Sequence, residues 1–150
     1  MSKEHKANAL RILNDNYFMP SFAYVNELSL VRAMLKCQEK IRNLDILITY
    51  PNRNKINLYD GRIRRHLAEI MLYLDSPNLK EAEDWILKAI DSDKQNRLLY
   101  EMAHDLSVYG EIYLRKNEFK KANEIIIDAI RVFRDCGADC WATKFEQSLK

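Results

Sequence analysis

Glycine and proline are scarce in this chain, and their scarcity excludes several kinds of functional loop. Only three glycines and three prolines occur among 150 residues, whereas average usage predicts roughly ten and about seven. Phosphate-binding loops, nucleophile elbows and tight β-hairpins need glycine where the backbone turns left-handed or approaches a ligand closely. The sequence therefore favours regular elements joined by few special turns.

Residues that carry catalytic chemistry are also few. The three histidines include no i, i+4 pair of the kind that binds zinc on a helix, and no HExxH, GxxxxGK[ST] or GxSxG motif occurs. The three cysteines lack the two-residue spacing of redox and metal motifs. We therefore expect no enzyme activity, no metal and no cofactor. Cys136 and Cys140 are interpreted as small buried thiols, and Cys37 as a residue of an apolar helix face.

The sequence also lacks a membrane span and a secretion signal. No apolar run approaches the roughly 20 residues that cross a bilayer, and the first residues contain no apolar signal-peptide core. An odd number of cysteines suits a reducing compartment. These features predict a cytoplasmic protein without membrane contact.

Charge is balanced overall but uneven along the chain. The formal net charge is +2, which implies neither a general nucleic-acid binder nor an acidic partner. Residues 51–66 carry a local charge of +4, and residues 67–95 one of −4. Phosphate or nucleic-acid binding through Arg53–Arg65 is one hypothesis, but without a recognised nucleic-acid motif we favour a solvated loop or a partner-facing patch.

Apolar residues recur at three and four positions throughout, which predicts an all-α protein with no strand. We expect one all-helical domain, residues 1–150. Its predicted helices cover 3–18, 58–74, 79–92, 94–115, 118–135 and 138–149, with Gly137 ending the one before last. Residues 22–50 form either one long helix or two broken near 26–29. Pro51–Asn57 is predicted as the irregular internal boundary.

An internal repeat is visible in the second half of the chain. Residues 79–93 superpose on 119–133 with an offset of forty, matching Ala82 to Ala122, Ile86 to Ile126 and Ala89 to Ala129. The preceding helices match when two more residues are allowed in the turn before Leu79. Small residues in this register let helix axes approach closely, so two helix hairpins of one design are expected in tandem.

These residues resemble the tetratricopeptide repeat (TPR) family. The matching positions of the second repeat are Leu106, Tyr109, Gly110, Tyr113, Ala122, Ile126 and Ala129. A period near forty is similar to the repeats of bacterial regulatory proteins. The resemblance implies antiparallel helix hairpins stacked as a short right-handed solenoid. Residues 58–149 would form two hairpins and a C-terminal capping helix, and residues 1–57 a degenerate repeat or a different cap.

The resemblance also implies where a partner would bind. In the family, one face of the first helix of each hairpin lines a groove; the corresponding residues here are Arg62, Arg65, Glu69, Leu72, His104, Ser107, Glu111 and Leu114. The arginines would hold a carboxylate or acidic side chains, and the glutamates would select a basic group. The alternative is that these residues only solvate the concave face. The family's carboxylate clamp requires asparagine where Glu69 stands, which disfavours that ligand class.

Two hypotheses of function are favoured over nucleic-acid binding. The first is a non-catalytic scaffold that binds a protein or peptide in the groove. The second is a sensory or oligomerisation module of a bacterial signalling or transcription-regulatory system, because exposed apolar residues such as Phe22 and Trp141 would then be covered by another subunit or domain.

Overall fold

The computed structural model describes residues 20–41 and 43–147, and within these ranges the chain is helical, without strands. The described residues form eight helical segments: α1 Pro20–Lys36, α2 Leu44–Leu47, α3 Tyr50–Arg53, α4 Asn57–Tyr73, α5 Leu79–Gln95, α6 Leu99–Arg115, α7 Phe119–Asp135 and α8 Asp139–Glu146. The predicted helix over 3–18 and the last two residues, 148–149, of the predicted helix 138–149 lie outside the described residues. No described helix is long and apolar enough to cross a membrane.

The helices of the second half are regularly spaced. Helices α4 to α7 each have 17 residues, and α5, α6, α7 and α8 begin at Leu79, Leu99, Phe119 and Asp139. The predicted offset of forty between residues 79–93 and 119–133 is therefore confirmed as the offset between two equivalent helices. Helix α4 matches α6 with two additional residues, as the sequence alignment required.

Small residues lie where helices touch. The repeated alanines, for example Ala82 and Ala122, have no exposed surface. A Cβ atom added to Gly110 would come within 2.6 Å of the Ile126 side chain on α7. The close approach predicted at Gly110 is confirmed, and a larger residue there would push α6 away from α7.

Two predicted helix boundaries are wrong, and left-handed residues other than glycine explain both. Helix α1 continues through residues 26–29 and ends at Lys36. Two residues later, Gln38 has a left-handed φ of 59°. Helix α5 continues through Lys94 and ends at Gln95. Two residues later, Arg97 has a left-handed φ of 56°. Glycine or asparagine normally marks such a C-terminal cap, so glutamine and arginine gave no sequence signal.

The irregular segments also differ from the prediction. Tyr50, Pro51, Asn52 and Arg53 form the short helix α3, with proline at a position near the helix start where its missing N–H is tolerated. Residues 37–41 and 43 form a longer connection than residues 54–56. Pro51–Asn57 is therefore only partly irregular.

The cysteine prediction is wrong. All three cysteines, Cys37, Cys136 and Cys140, are free and exposed. Cys37 and Cys136 directly follow helices and Cys140 lies in the first turn of α8, so none of them faces the core.

The core runs along the chain as a series of adjoining clusters. One cluster joins α1 and the two short helices to α4, with Leu28 and Ile63 fully buried. A second joins α4, α5 and α6, and a third joins α6, α7 and α8 around Phe133. Helix α4 also contacts α6 directly, and α1 packs on α4. This order brings one face each of α1, α4, α6 and α8 to a shared groove.

Candidate functional site

A groove of about 780 Å³ lies along α4 and α6. Helix α1, which packs on α4, and helix α8, which packs on α7, add side chains at its two sides. The lining mixes charged, aromatic and aliphatic groups, which is typical of a surface that recognises a polar chain with some apolar side chains.

Seven of the eight residues predicted to line a groove do line this one. They are Arg62, Arg65, Glu69, His104, Ser107, Glu111 and Leu114. Leu72 does not, because it is fully buried in the cluster between α4, α5 and α6. The equivalent residue on α6, Leu114, is exposed. Neighbouring helices therefore bury this position of the repeat on α4 but leave it open to solvent on α6.

The two arginines predicted to bind a ligand carboxylate are paired within the protein. Arg62 forms an ion pair with Glu101, and Nη2 of Arg65 donates to Oε2 of Glu101 at 2.7 Å. Nη1 of Arg65 donates to the Glu101 carbonyl at 3.1 Å and to Oδ1 of Asp105 at 3.0 Å. Burial raises the pKa of Glu101, but the hydrogen bond from Arg62 and the charge of Arg65 outweigh it and lower that pKa to about 2. Arg65, buried to 8% exposure, therefore joins α4 to α6 rather than meeting a ligand.

A pair of buried carboxyl groups lies behind Arg65. Asp93 on α5 and Asp105 on α6 are 1% and 0% exposed. Burial raises the pKa of Asp93 to about 6 and, against the charge of Arg65, raises the pKa of Asp105 well above its usual range. Both oxygens of Asp93 and Oδ2 of Asp105 lack a hydrogen-bond donor among the described residues. Both shifts favour the protonated form, in which a carboxyl group can donate a hydrogen bond to the neighbouring one.

Gly61 makes room for this carboxyl pair. A Cβ atom at Gly61 would lie 2.0 Å from Oδ1 of Asp93, which is shorter than any non-bonded contact. Gly61 lies in the first part of α4, and the absence of a side chain there allows α4 to approach Asp93 of α5. Helices α4, α5 and α6 are thereby joined through one polar cluster beneath the groove.

Glu69 is likewise occupied. Its Oε2 accepts from Nη1 of Arg32 at 2.6 Å and lies 3.1 Å from Nδ1 of His66. Burial opposes ionisation, but His66 and Arg32 outweigh it and lower the pKa of Glu69 to about 2. Burial lowers the pKa of His66, so the neutral ring donates its Nδ1 proton to the carboxylate. Glu69 is thus not free to select a basic ligand group.

Glu111, the second glutamate predicted to select a basic group, is paired at the far end of the groove. Its Oε1 accepts from Nη2 of Arg115 at 2.8 Å and from the Tyr73 hydroxyl at 3.1 Å. Nη1 of Arg115 also donates to the Leu72 carbonyl at 2.6 Å. All three glutamates that line the groove are therefore neutralised by arginines.

Aromatic rings cluster at the α8 side. The His104 ring contacts Tyr100, Trp141 and Phe133 edge to face, with centroid distances of 4.7, 4.7 and 4.9 Å. Burial and the charge of Arg65 lower the pKa of His104 to about 4, so the imidazole is neutral near pH 7. Tyr100 remains 43% exposed. The cluster offers an apolar contact surface with one hydroxyl.

Two lysines of the groove are not in ion pairs with any described residue. Lys36, on α1, has its Nζ 4.7 Å from the centroid of the Tyr73 ring, and Lys144, on α8, has its Nζ 4.7 Å from that of Trp141. Both side chains belong to exposed residues. The charge left uncompensated in the groove is therefore positive and comes from opposite sides.

The sequence contains a signal for part of the α8 side. Carrying the forty-residue offset on to the last helix places Lys144 at the position of His104, and Trp141 at that of Glu101. Nothing in the sequence marked Arg32 and Lys36 of α1, because the position of that helix depends on long-range packing against α4.

The basic segment Arg53–Arg65 does not form a continuous cationic surface. Arg62 and Arg65 are paired with acidic residues of α6, and Nε of Arg64 donates to Oδ2 of Asp60 at 2.8 Å. Arg53 lies over the Tyr24 ring, 5.6 Å from its centroid. The segment therefore offers few free cations to a phosphate backbone.

Comparison with family models, with curated proteins and with solved structures finds no match. Among the described residues, no group of three or more histidines, cysteines and acids is placed to hold a metal ion. Inference about function therefore depends on the shape, charge and exposure of the groove.

Proposed function

We propose that this protein is a TPR-like helical-repeat scaffold that binds a peptide or an extended protein segment in the groove between α1, α4, α6 and α8, and that it has no catalytic role. The observation that carries the proposal is the groove itself. Seven residues assigned to it by repeat position lie together along one cavity, which is the arrangement that a stack of helix hairpins produces.

The repeat geometry supports the stacked arrangement. Three-residue connections join α5 to α6, α6 to α7 and α7 to α8, and connections this short place neighbouring helices antiparallel. First helices of successive hairpins touch each other, as α4 and α6 do. Such a stack places the first helices of the hairpins in a row along one side. An extended peptide that binds there contacts several of these helices at once.

The groove chemistry supports binding rather than catalysis. Its buried acids and arginines hydrogen-bond to each other, as residues that fix a surface do. The exposed contributions are a tyrosine, a leucine and two lysines, namely Tyr100, Leu114, Lys36 and Lys144. Aromatic and long cationic side chains at the surface of a groove are common anchors for peptides.

The test is a selection of phage-displayed random decapeptides on the chain, followed by fluorescence anisotropy with an enriched synthetic peptide. Tyr100→Ala removes a groove side chain that is 43% exposed and should weaken binding roughly tenfold. Phe119→Ala is the matched control, because Phe119 is 60% exposed and lies outside the groove. Equal affinity of the two variants, or no enrichment of any peptide, would contradict the proposal.

A further inference from the structure

Granting the peptide-binding role proposed above, we infer that the groove selects acidic peptides, with carboxylates reaching Lys36 and Lys144 and an apolar or aromatic side chain between them. The ligand is an extended segment with negative net charge. Its recognition depends on two lysines that the repeat pattern does not assign to the groove.

Charge complementarity carries the inference. Each of the three groove glutamates is bound by an arginine at 2.8 Å or closer, in the pairs Glu69 with Arg32, Glu101 with Arg65 and Glu111 with Arg115. These pairs give the groove little attraction for a basic group. Lys36 and Lys144 have only ring contacts among the described residues, so a bound carboxylate gains their attraction without breaking an existing ion pair.

The position of the two lysines indicates an extended ligand. Lys36 comes from the C-terminal end of α1 and Lys144 from α8, on opposite sides of the groove floor. Tyr100, also at the groove surface, is 43% exposed. A peptide that reaches both lysines crosses α4 and α6 and places intervening side chains against this aromatic surface.

A peptide fits this surface better than a nucleic acid does. Polynucleotide binding normally neutralises several successive phosphates, and here only two free lysines are available across the whole groove. Discrete carboxylates on a flexible chain fit two separated lysines better, because their spacing is not fixed.

The experiment compares the charge of selected peptides among three forms of the chain. Random decapeptides displayed on phage are selected on the unmodified protein, on Lys36→Glu/Lys144→Glu and on Lys88→Glu/Lys120→Glu. The last pair is a matched control with the same change in net charge. Lys88 lies over Trp85, 5.0 Å from the ring centroid, as Lys144 lies over Trp141, but neither Lys88 nor Lys120 lines the groove.

We expect acidic peptides to be enriched on the unmodified protein and on the control, and the acidic bias to disappear on the groove variant. An enriched synthetic peptide labelled with fluorescein should bind the groove variant at least about tenfold more weakly and should lose affinity as salt increases. Circular dichroism checks that both double variants keep the helical content of the unmodified chain.

Other outcomes separate this inference from the proposed function. Peptides enriched without an acidic bias, or a bias that persists on the groove variant, would overturn the selectivity while leaving peptide binding intact. Tighter binding of a fluorescein-labelled single-stranded oligonucleotide than of the peptide would assign the lysines to nucleic acid and overturn it as well. No enrichment on any form would overturn both proposals.

Discussion

At the scale of single residues, exposure decides which charged side chains can meet a ligand. Arg65 and Glu69 stand at groove positions by sequence, yet they are 8% and 7% exposed and bonded to neighbours. A buried charge without a partner is strongly unfavourable, so such residues are held by opposite charges inside the protein. Lys36 and Lys144, which have long stems and lie at the surface, keep their charge available.

The buried carboxyl pair gives the protein a measurable pH dependence. The pKa of Asp93 rises from its usual 3.8 to about 6 on folding, so the folded state binds more protons between these pH values than the unfolded state does. Stability contributed by Asp93 is therefore complete below about pH 4 and is lost as the pH rises through 6, by an amount on the order of 3 kcal/mol. Asp93→Asn removes this titration while keeping the side-chain shape, and it also lowers the pKa of Asp105, because the charge of Asp93 helps to raise that pKa.

Urea unfolding of the unmodified protein and of Asp93→Asn, measured from pH 4 to pH 7, tests this expectation. The stability of the unmodified protein relative to the variant should fall across this range and level off above it. Burial lowers the pKa of His104 to about 4, so the contribution of His104 to stability increases with pH. His104 is present in both proteins, and its contribution cancels when their stabilities are subtracted. Parallel stability curves would show that Asp93 is ionised throughout.

At the scale of elements, the three connections of the second half share one design. The backbone N–H of Leu98, Glu118 and Ala138 donates to the carbonyl five residues earlier, at 2.8, 3.0 and 2.8 Å. The preceding residues, Arg97, Asn117 and Gly137, all have a left-handed φ. This closure of the helix end fixes a three-residue connection, and it explains why three different sequences give the same spacing of 20 residues from helix to helix.

Arg97 occupies this left-handed position at a cost that glycine would remove. A side chain in the left-handed region costs roughly 1–2 kcal/mol, and glycine returns part of that through the greater freedom of the unfolded chain. Arg97→Gly should therefore stabilise the protein by about 0.5–1 kcal/mol, measured by urea unfolding. Gly137→Ala is the converse control, since its φ is 76°, and should destabilise. A loss of stability in Arg97→Gly would indicate that the arginine side chain contributes a contact of its own.

At the scale of the whole molecule, the core extends from one neighbour to the next. Ile63 belongs to the cluster of α1 with α4, and Ile130 to the cluster of α6 with α7 and α8. Each cluster is built from helices close in sequence, and the described helices contact mainly their neighbours. The groove lies on the side of this helix stack where α1 and α8 both contribute side chains, so one ligand could contact both helices.

A core of this kind predicts independent effects at its two ends. Ile63→Val and Ile130→Val should each destabilise by roughly 1 kcal/mol, and the double variant by about the sum, within ~0.5 kcal/mol. Ile130→Val combined with Phe133→Leu, within one cluster, should deviate from the sum because these side chains share contacts. Urea unfolding of the single and double variants measures both cycles. A large coupling between Ile63 and Ile130 would indicate one continuous core.

The all-helical fold and the forty-residue repeat followed from the sequence, because apolar and small residues recur at fixed intervals and such intervals are local properties of the chain. Seven groove positions followed from the resemblance of that repeat to the TPR pattern. Tertiary structure alone decided the helix ends at Gln38 and Arg97, whose residue types carry no strong preference for a left-handed backbone. It also decided the burial of Leu72 and the internal pairing of Arg65. Burial and ion pairing depend on which distant helices meet, and that is settled only when α1, α4, α6 and α8 pack together.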